Sequence, residues 1–108
     1  MTPTDPRQRI AAAVPIAAEL RDLVLREADP GFRLGWYDRL RRLLDILETD
    51  DDPDEVLKYA ALTFDQLYSG GRNFADFIIY RADPQERVAA NERLAGLTGE
   101  LRRLLHGT

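Results

Sequence analysis

The sequence predicts an all-α protein, a compact antiparallel bundle of four to five helices. Three observations support this fold class. Apolar residues recur at steps of three and four along most of the chain, which is the spacing of one face of a helix. Proline, glycine and aspartate mark short connections between these segments. One segment alone has strand propensity, and no second strand is predicted that could pair with it.

The first helix is predicted over about residues 6–28. Either Thr4 or Asp5 can cap it, and a proline suits its first position because the missing N–H would have no helical partner there. Pro15 lies inside the apolar pattern, so we expect the helix to kink or split at this point. The Asp-Pro-Gly of residues 29–31 is expected to stop it.

The second helix is predicted over about residues 32–48 and carries the clearest apolar stripe of the chain. The stripe occupies positions i, i+4, i+7, i+8 and i+11, which are Trp36, Leu40, Leu43, Leu44 and Leu47. Because this spacing covers one face, we expect the helix to bury that face against the rest of the bundle.

The third helix has a strong start signal. Asp52 is the expected N-cap, Pro53 the first helical residue and Glu55 the partner of the cap in a capping box. The apolar pattern continues to Ser69, and we expect the pair Gly70-Gly71 to end the helix there.

Residues 73–80 fit two kinds of structure. The last four of them have strand propensity, but a lone strand would leave its backbone groups without hydrogen bonds. The apolar residues also fit helical spacing, and Asn73 is a suitable cap. We therefore predict a short, nearly fully buried helix for this segment.

The last helix repeats the start signal of the third, with Asp83 as the cap and Pro84 at the first position. We expect it to end at Gly107, which is a plausible C-cap. Gly96 and Gly99 lie inside it, either as weak points or as places where another helix comes close.

The chain has 108 residues, enough for a single domain, which we predict over residues 1–108 with residues 1–5 flexible. Its 44% hydrophobic and 31% charged residues are typical of a soluble globular protein and exclude a disordered chain. The lack of cysteine excludes disulfides, thiolate zinc sites and iron–sulfur clusters. No signal-peptide pattern and no apolar run of about 20 residues is present, so we expect a cytoplasmic location without membrane insertion.

The charges comprise 15 basic and 19 acidic residues, a net charge of −4. This balance argues against nucleic-acid binding, because phosphate contacts need a basic surface. The arginine clusters at residues 39–42 and 102–103 lie beside acidic residues, so solvated ion pairs explain them better. An acidic surface suits a basic protein partner through electrostatic steering. Lys58 is the one lysine of the chain, and this preference for arginine is typical of a GC-rich bacterial genome.

Candidates for catalysis and metal binding are few. The chain has one serine, Ser69, and one histidine, His106, and nothing in the sequence places a carboxylate to complete a triad with them. We therefore predict that the protein is not an enzyme. The acidic residues 50–55 resemble a calcium loop, but Glu55 stands where that loop needs glycine, and Ala61 where it needs glutamate. An acidic helix start explains this run, and we expect no metal and no other cofactor.

The candidate binding residues are exposed aromatic or turn positions, and they are Tyr37, Gly70, Gly71, Arg72, Asn73 and Asp76. If Trp36 faces the core, its neighbour Tyr37 is a candidate anchor for a partner, with Tyr59 and Tyr80 as further members of a contact patch. A core or half-buried position is an equally good interpretation for each tyrosine. In the corner formed by residues 70–76, the glycines allow a sharp turn and the aspartate can act as a cap, so a structural role stands beside ligand binding.

Two motifs carry a resemblance to a known family. Residues 64–79 follow the pattern Phe-x-x-Leu-Tyr-Ser-Gly-Gly-x-Asn-Phe-x-Asp-Phe-x-Ile, and residues 90–94 are Ala-Asn-Glu-Arg-Leu. With these motifs, residues 32–105 resemble a small all-helical bacterial family known only as a domain of unknown function. The chain departs from the family at Arg72, where a small residue or Met is more familiar, and at Ala75, where Asn is common. The resemblance implies a helical fold and no catalytic residues.

Small acidic cytoplasmic proteins of this kind resemble the immunity proteins of bacterial toxin systems, an analogy at the level of class alone. We therefore expect a non-enzymatic interaction module, immunity- or antitoxin-like, that masks a protein partner such as a toxin. The alternative is a small-ligand-binding or regulatory bundle with its site near Arg72, Asn73 and Asp76. Self-association through a helix face is compatible with either function.

Overall fold

The computed structural model describes residues 5–71 and 73–107 and contains no strand in those ranges. Within these ranges lie four α-helices, α1 Pro6–Glu27, α2 Pro30–Leu47, α3 Pro53–Asp65 and α4 Pro84–His106. Two single turns of 3₁₀-helix, Gln66–Tyr68 and Phe74–Asp76, lie between α3 and α4. The predicted all-α fold class is therefore confirmed.

Each of the four α-helices begins with the dipeptide Asp-Pro. The caps Asp5, Asp29, Asp52 and Asp83 each accept a hydrogen bond from a backbone N–H of the first turn, at 2.9 to 3.2 Å. The proline that follows each cap has its φ already set for a helix and lacks an N–H that would have no partner there. These starts are therefore fixed by local chemistry, independently of the core.

Several predicted boundaries need correction. The helix α2 begins at Pro30, two residues before the predicted start, because Asp29 caps it and does not merely end α1. Pro15 does not split α1, which remains one helix on both sides of it. The α-helical part of α3 ends at Asp65, and the 3₁₀ turn accounts for the rest of its predicted length. Thr4, the alternative cap of α1, lies outside the described residues, and Asp5 performs that role.

The helices pack around one core. α1 lies against both α2 and α4, α2 lies against α3, and α3 lies against α4. The largest fully buried side chains come from all four helices and from the segment before α4, and they are Phe64, Leu20, Leu40, Leu43, Ile79, Leu101, Leu104 and Val24. Burial of each contributes on the order of 1.5–3 kcal/mol to folding before the entropic cost is counted.

An arginine near the start of the chain ties α1 to the end of α4. Arg9 donates from Nε to the carbonyl of Leu104 at 2.7 Å and from a terminal nitrogen to the carbonyl of Leu105 at 3.0 Å. These carbonyls belong to the last turn of α4, where no further helical N–H is available. Gly107, with a φ of 76°, ends the helix as the predicted C-cap.

The segment between α3 and α4 differs from the short buried helix that was predicted. Only residues 74–76 form a 3₁₀ turn, and the chain continues without helix or strand through residue 81. Ile79 is buried, whereas Ile78 is 69% and Tyr80 73% exposed. The alternation of inward and outward side chains is that of an extended chain.

A side chain of α4 provides hydrogen-bond partners for the backbone of this extended segment. Asn91 accepts the N–H of Ile79 and donates to the carbonyl of the same residue, both at 2.9 Å. A lone extended segment is possible because the carboxamide offers the donor and the acceptor that a second strand would supply. Arg81 also pairs with Glu27 at the end of α1, at 2.5 Å, which anchors the other end of the segment.

Gly96 and Gly99 are not places of close helix approach. A Cβ atom at either position would meet open space, so both glycines are only weak points of α4. In the described part of the chain, none of the helices has the length and apolar character needed to cross a membrane.

Candidate functional site

The predicted binding corner at residues 70–76 forms a tightly hydrogen-bonded turn. Gly70 has a φ of 92°, a conformation that favours glycine. The side chain of Asn73 accepts the N–H of Ala75 at 2.9 Å and donates to the carbonyl of Gly70 at 3.0 Å. Asp76 accepts the N–H of Asn73 at 3.0 Å, which completes a reciprocal capping box. These contacts give the polar groups structural partners.

Gly71 and Arg72 are the other two members of the predicted corner. Gly71 is exposed, and a Cβ atom there would meet open space. Arg72, the basic residue of the predicted site, lies outside the described residues. A ligand-binding role for this corner stays a prediction.

Tyr37 is half-buried and packs against the edge of the core, so it is less exposed than a free anchor would be. Its neighbour Trp36 faces the core as predicted and contacts the rings of Phe74 and Phe77, with centroids at 5.4 and 5.6 Å. Tyr80 is exposed on another part of the surface, where the guanidinium of Arg87 lies 5.2 Å from its ring centroid.

Ser69 and His106 have separate structural partners. The hydroxyl of Ser69 donates to the carbonyl of Gln66 at 2.8 Å, within the same turn. Nε2 of His106 lies 2.9 Å from a carboxylate oxygen of Asp65, which joins the C-terminal ends of α4 and α3. Across residues 5–71 and 73–107, no three acidic or histidine side chains gather as a metal site would require.

The predicted ion pairs of the arginine clusters form only in part. Arg103 pairs with Glu100 at 3.1 Å. Arg102 instead lies over two aromatic rings, 5.0 Å from the centroid of Tyr68 and 5.4 Å from that of Phe64. In the other cluster, the side chain of Arg39 donates to the amide oxygen of Gln66.

A groove of about 670 Å³ lies between α2 and α3. One wall is formed by α2 and the other by α3, and the connection between them closes one end. The residues that line this α2–α3 groove are Arg42, Ile46, Thr49, Asp51, Asp52, Glu55, Val56, Tyr59, Leu62, Thr63 and Gln66.

Apolar side chains are exposed in the α2–α3 groove. Tyr59 is 53% and Leu62 52% exposed, one turn apart on α3, and the half-buried Ile46 faces them from α2. The opposite face of α3 is occupied by core residues such as Phe64. Tyr59 and Leu62 therefore belong to a second apolar face of α3, which no other element of the described chain covers.

Charge is distributed unevenly along the groove. Asp51, Asp52 and Glu55 lie at the end closed by the α2–α3 connection. Arg42 stands on the α2 wall, and Gln66 lies at the opposite end, where Arg39 bonds to it. The site thus has an apolar floor with a concentration of negative charge at one end.

A smaller concavity of about 370 Å³ lies beneath the 70–76 corner. Its walls include the rings of Tyr68, Phe74 and Phe77, together with the polar groups of Thr98 and Arg102. Burial raises the pKa of the Tyr68 hydroxyl above its ordinary value, and the positive charge of Arg102 opposes that effect.

The sequence pattern reveals only part of the α2–α3 groove. Tyr59 is a predicted contact residue, whereas the sequence pattern does not single out Leu62. A signal is present, because residues 55, 59, 62 and 66 follow each other at steps of four, three and four. This second stripe runs beside the core stripe, and only the position of α2 decides which of the two is covered.

No family model, curated protein or solved structure matches this chain. The resemblance to an all-helical bacterial family therefore stays a prediction.

Proposed function

We propose that the protein is a non-enzymatic interaction module that binds a partner protein through the α2–α3 groove. The observation that carries the proposal is the exposure of Tyr59 and Leu62 in the groove between α2 and α3. Exposed apolar side chains that line a concave site are typical of binding surfaces, and tyrosine is among the residues that contribute most to them.

A more specific form of this proposal is an immunity- or antitoxin-like protein that acts in the cytoplasm and masks a toxin. The net charge of −4 supports it, because an acidic protein attracts a basic partner at long range. The resemblance to small acidic bacterial proteins supports it by analogy alone.

Co-purification with proteins encoded by neighbouring genes tests the proposal. The groove variant is the double substitution Tyr59→Ala and Leu62→Ala. The control is Tyr80→Ala with Leu25→Ala, which removes the same two residue types from exposed positions elsewhere. We expect a neighbour-encoded protein to be retained by the wild type and the control and lost from the groove variant.

Each variant changes exposed side chains only, so its free energy of unfolding should stay within about 0.5 kcal/mol of the wild type. Equal retention by all three proteins would place the binding surface elsewhere. Failure to retain any neighbour-encoded protein, even with a co-expressed toxin, would count against the immunity-like function.

A second candidate function is small-ligand binding in the concavity beneath the 70–76 corner. The aromatic walls with the guanidinium of Arg102 at the rim favour a planar anionic ligand. A thermal-shift screen with aromatic carboxylates tests it, since a ligand of the folded state raises the melting temperature by mass action. Arg102→Ala should abolish such a shift, whereas Arg103→Ala should leave it unchanged.

A further inference from the structure

We propose that the α2–α3 groove accepts an amphipathic α-helix of the partner protein, with a basic side chain at the end that meets Asp51 and Glu55. This inference rests on the proposed function and specifies the chemistry of the partner.

The walls of the groove favour a helix over an extended peptide. Both walls are α-helices, and the backbone groups in the interior of a helix are already paired with each other. The groove therefore offers no free backbone edge for an added strand, which is what recognition of an extended peptide by strand addition requires. Contacts have to come from side chains, as in recognition of a helix in a groove.

The length of the groove fits a short helix. Its lining extends from Glu55 on α3 to Gln66, the residue that follows the helix, and eleven steps at a rise of about 1.5 Å span roughly 16 Å, or three helical turns. A partner helix of that length presents apolar side chains at i, i+3 or i+4, and i+7 on one face. Tyr59, Leu62 and Ile46 provide the apolar surface against which they would pack.

Charge sets the orientation of the partner helix. Residues 50–55 contain five carboxylates, of which Asp51, Asp52 and Glu55 line the groove. Among the residues that line the groove, these three carboxylates stand against one cation, Arg42 on the α2 wall, so negative charge predominates. A lysine or arginine of the partner is attracted there, and an acidic residue is repelled.

A second copy of the chain is a poorer occupant. It carries 19 acidic and 15 basic residues, a net charge of −4, so a copy would bring a like net charge to the acidic end of the groove. We therefore assign the groove to a helix of a different protein.

Selection from a displayed library of helix-forming peptides, about five turns long, tests the inference. Peptides are selected for binding to the wild-type protein, and those that still bind the Tyr59→Ala, Leu62→Ala variant are removed. We expect the remaining sequences to share apolar residues at i, i+3 or i+4 and i+7, with lysine or arginine at one end. A proline in the middle of such a peptide should abolish its binding, because it breaks the helix.

Charge reversal supplies a matched control. Asp51→Lys with Glu55→Lys alters the groove, whereas Asp50→Lys with Asp54→Lys makes the same change of net charge beside it. We expect the first pair to weaken binding by at least about tenfold and the second pair by less than about threefold, since the second acts only at longer range.

The outcomes separate this inference from the proposed function. Groove-dependent peptides that lack a basic end, or that tolerate proline, would overturn the inference and leave the proposed function standing. A library without any groove-dependent peptide would overturn both. Dimerisation of the free protein that is lost in the groove variant would overturn the inference in favour of a second copy.

Discussion

The carboxamide of Asn91 on α4 satisfies both backbone groups of Ile79, with hydrogen bonds of 2.9 Å in each direction. The same side chain donates to the carbonyl of Arg87 at 2.8 Å. Ile79 is only 1% exposed, so water does not replace these contacts readily. A single side chain of a helix thus takes the place of a neighbouring strand.

Replacement of this asparagine should destabilise the fold strongly. Asn91→Ala leaves a buried donor and a buried acceptor of Ile79 unpaired, and each such group costs about 1–3 kcal/mol. We expect the free energy of unfolding to fall by about 2–4 kcal/mol in urea denaturation followed by circular dichroism. Gln85→Ala, at an exposed position of α4, is the control and should change it by less than about 0.5 kcal/mol. A loss as small as that of the control would contradict the assigned role.

The contact between Arg9 and the end of α4 gives a second test. Arg9→Ala removes two hydrogen bonds from a charged donor to the last carbonyls of the helix, and we expect a loss of about 1–3 kcal/mol in the free energy of unfolding. Arg7→Ala removes the same charge from an exposed position nearby and should have little effect. Hydrogen exchange of the amides in the last turn of α4 should quicken in the first variant only.

Replacement of glycine by alanine should raise the free energy of unfolding at some positions of the chain and lower it at others. Gly96→Ala and Gly99→Ala each meet open space inside a helix and should raise the free energy of unfolding by about 0.5–1 kcal/mol. Gly70→Ala should lower it by about 1–2 kcal/mol, because its φ of 92° disfavours any residue with a Cβ atom. Thermal melting of the three variants measures the difference, and an increase in stability for Gly70→Ala would contradict the turn geometry.

The buried hydroxyl of Tyr68 should make the stability of the fold depend on pH in the alkaline range. Burial raises the pKa of its hydroxyl in the folded state above the ordinary value of about 10. As the pH rises, the unfolded chain therefore releases this proton before the folded protein does. The contribution of Tyr68 to the free energy of unfolding is complete below about pH 10 and is lost as the pH rises through the pKa of the folded state.

The variant Tyr68→Phe should reduce this alkaline loss of stability, measured as the difference in the free energy of unfolding between pH 8 and pH 11. Tyr59→Phe, at a position where the ring is more than half exposed, should retain the loss in full. If both variants have the same pH dependence as the wild type, burial of Tyr68 is not its cause.

The helix starts could be predicted from the sequence because they depend on two adjacent residues. The pair Asp52-Pro53 sets the start of α3 through contacts within one turn. The same pair at Asp29-Pro30 also starts a helix, although as an isolated Asp-Pro-Gly sequence it resembles a simple stop. Local chemistry, once recognised, is sufficient for such boundaries.

The extended segment before α4 could not be predicted in this way. Its conformation depends on Asn91, twelve residues further along the chain than Ile79, and no local pattern reports that contact. The exposure of Leu62 in the groove is equally hard to predict from the sequence, because it depends on where α2 packs against α3. Long-range arrangement therefore limits the prediction of both the segment and the site.

The motifs that carry the family resemblance have structural explanations. Gly70 supplies the turn with positive φ, Asn73 and Asp76 form the capping box, and Asn91 holds the extended segment. All of these residues shape the connection between α3 and α4. The exposed groove residues Tyr59 and Leu62 lie outside both motifs.

The aromatic cluster around Trp36 provides an intrinsic optical reporter. Trp36 is the one tryptophan of the chain, and its indole is packed between Phe32 on α2 and the rings of Phe74 and Phe77. Undocking of the α3–α4 connection would expose the indole to water and shift its fluorescence emission to longer wavelength. Local opening of this connection can therefore be followed in the unlabelled protein, separately from the helical signal.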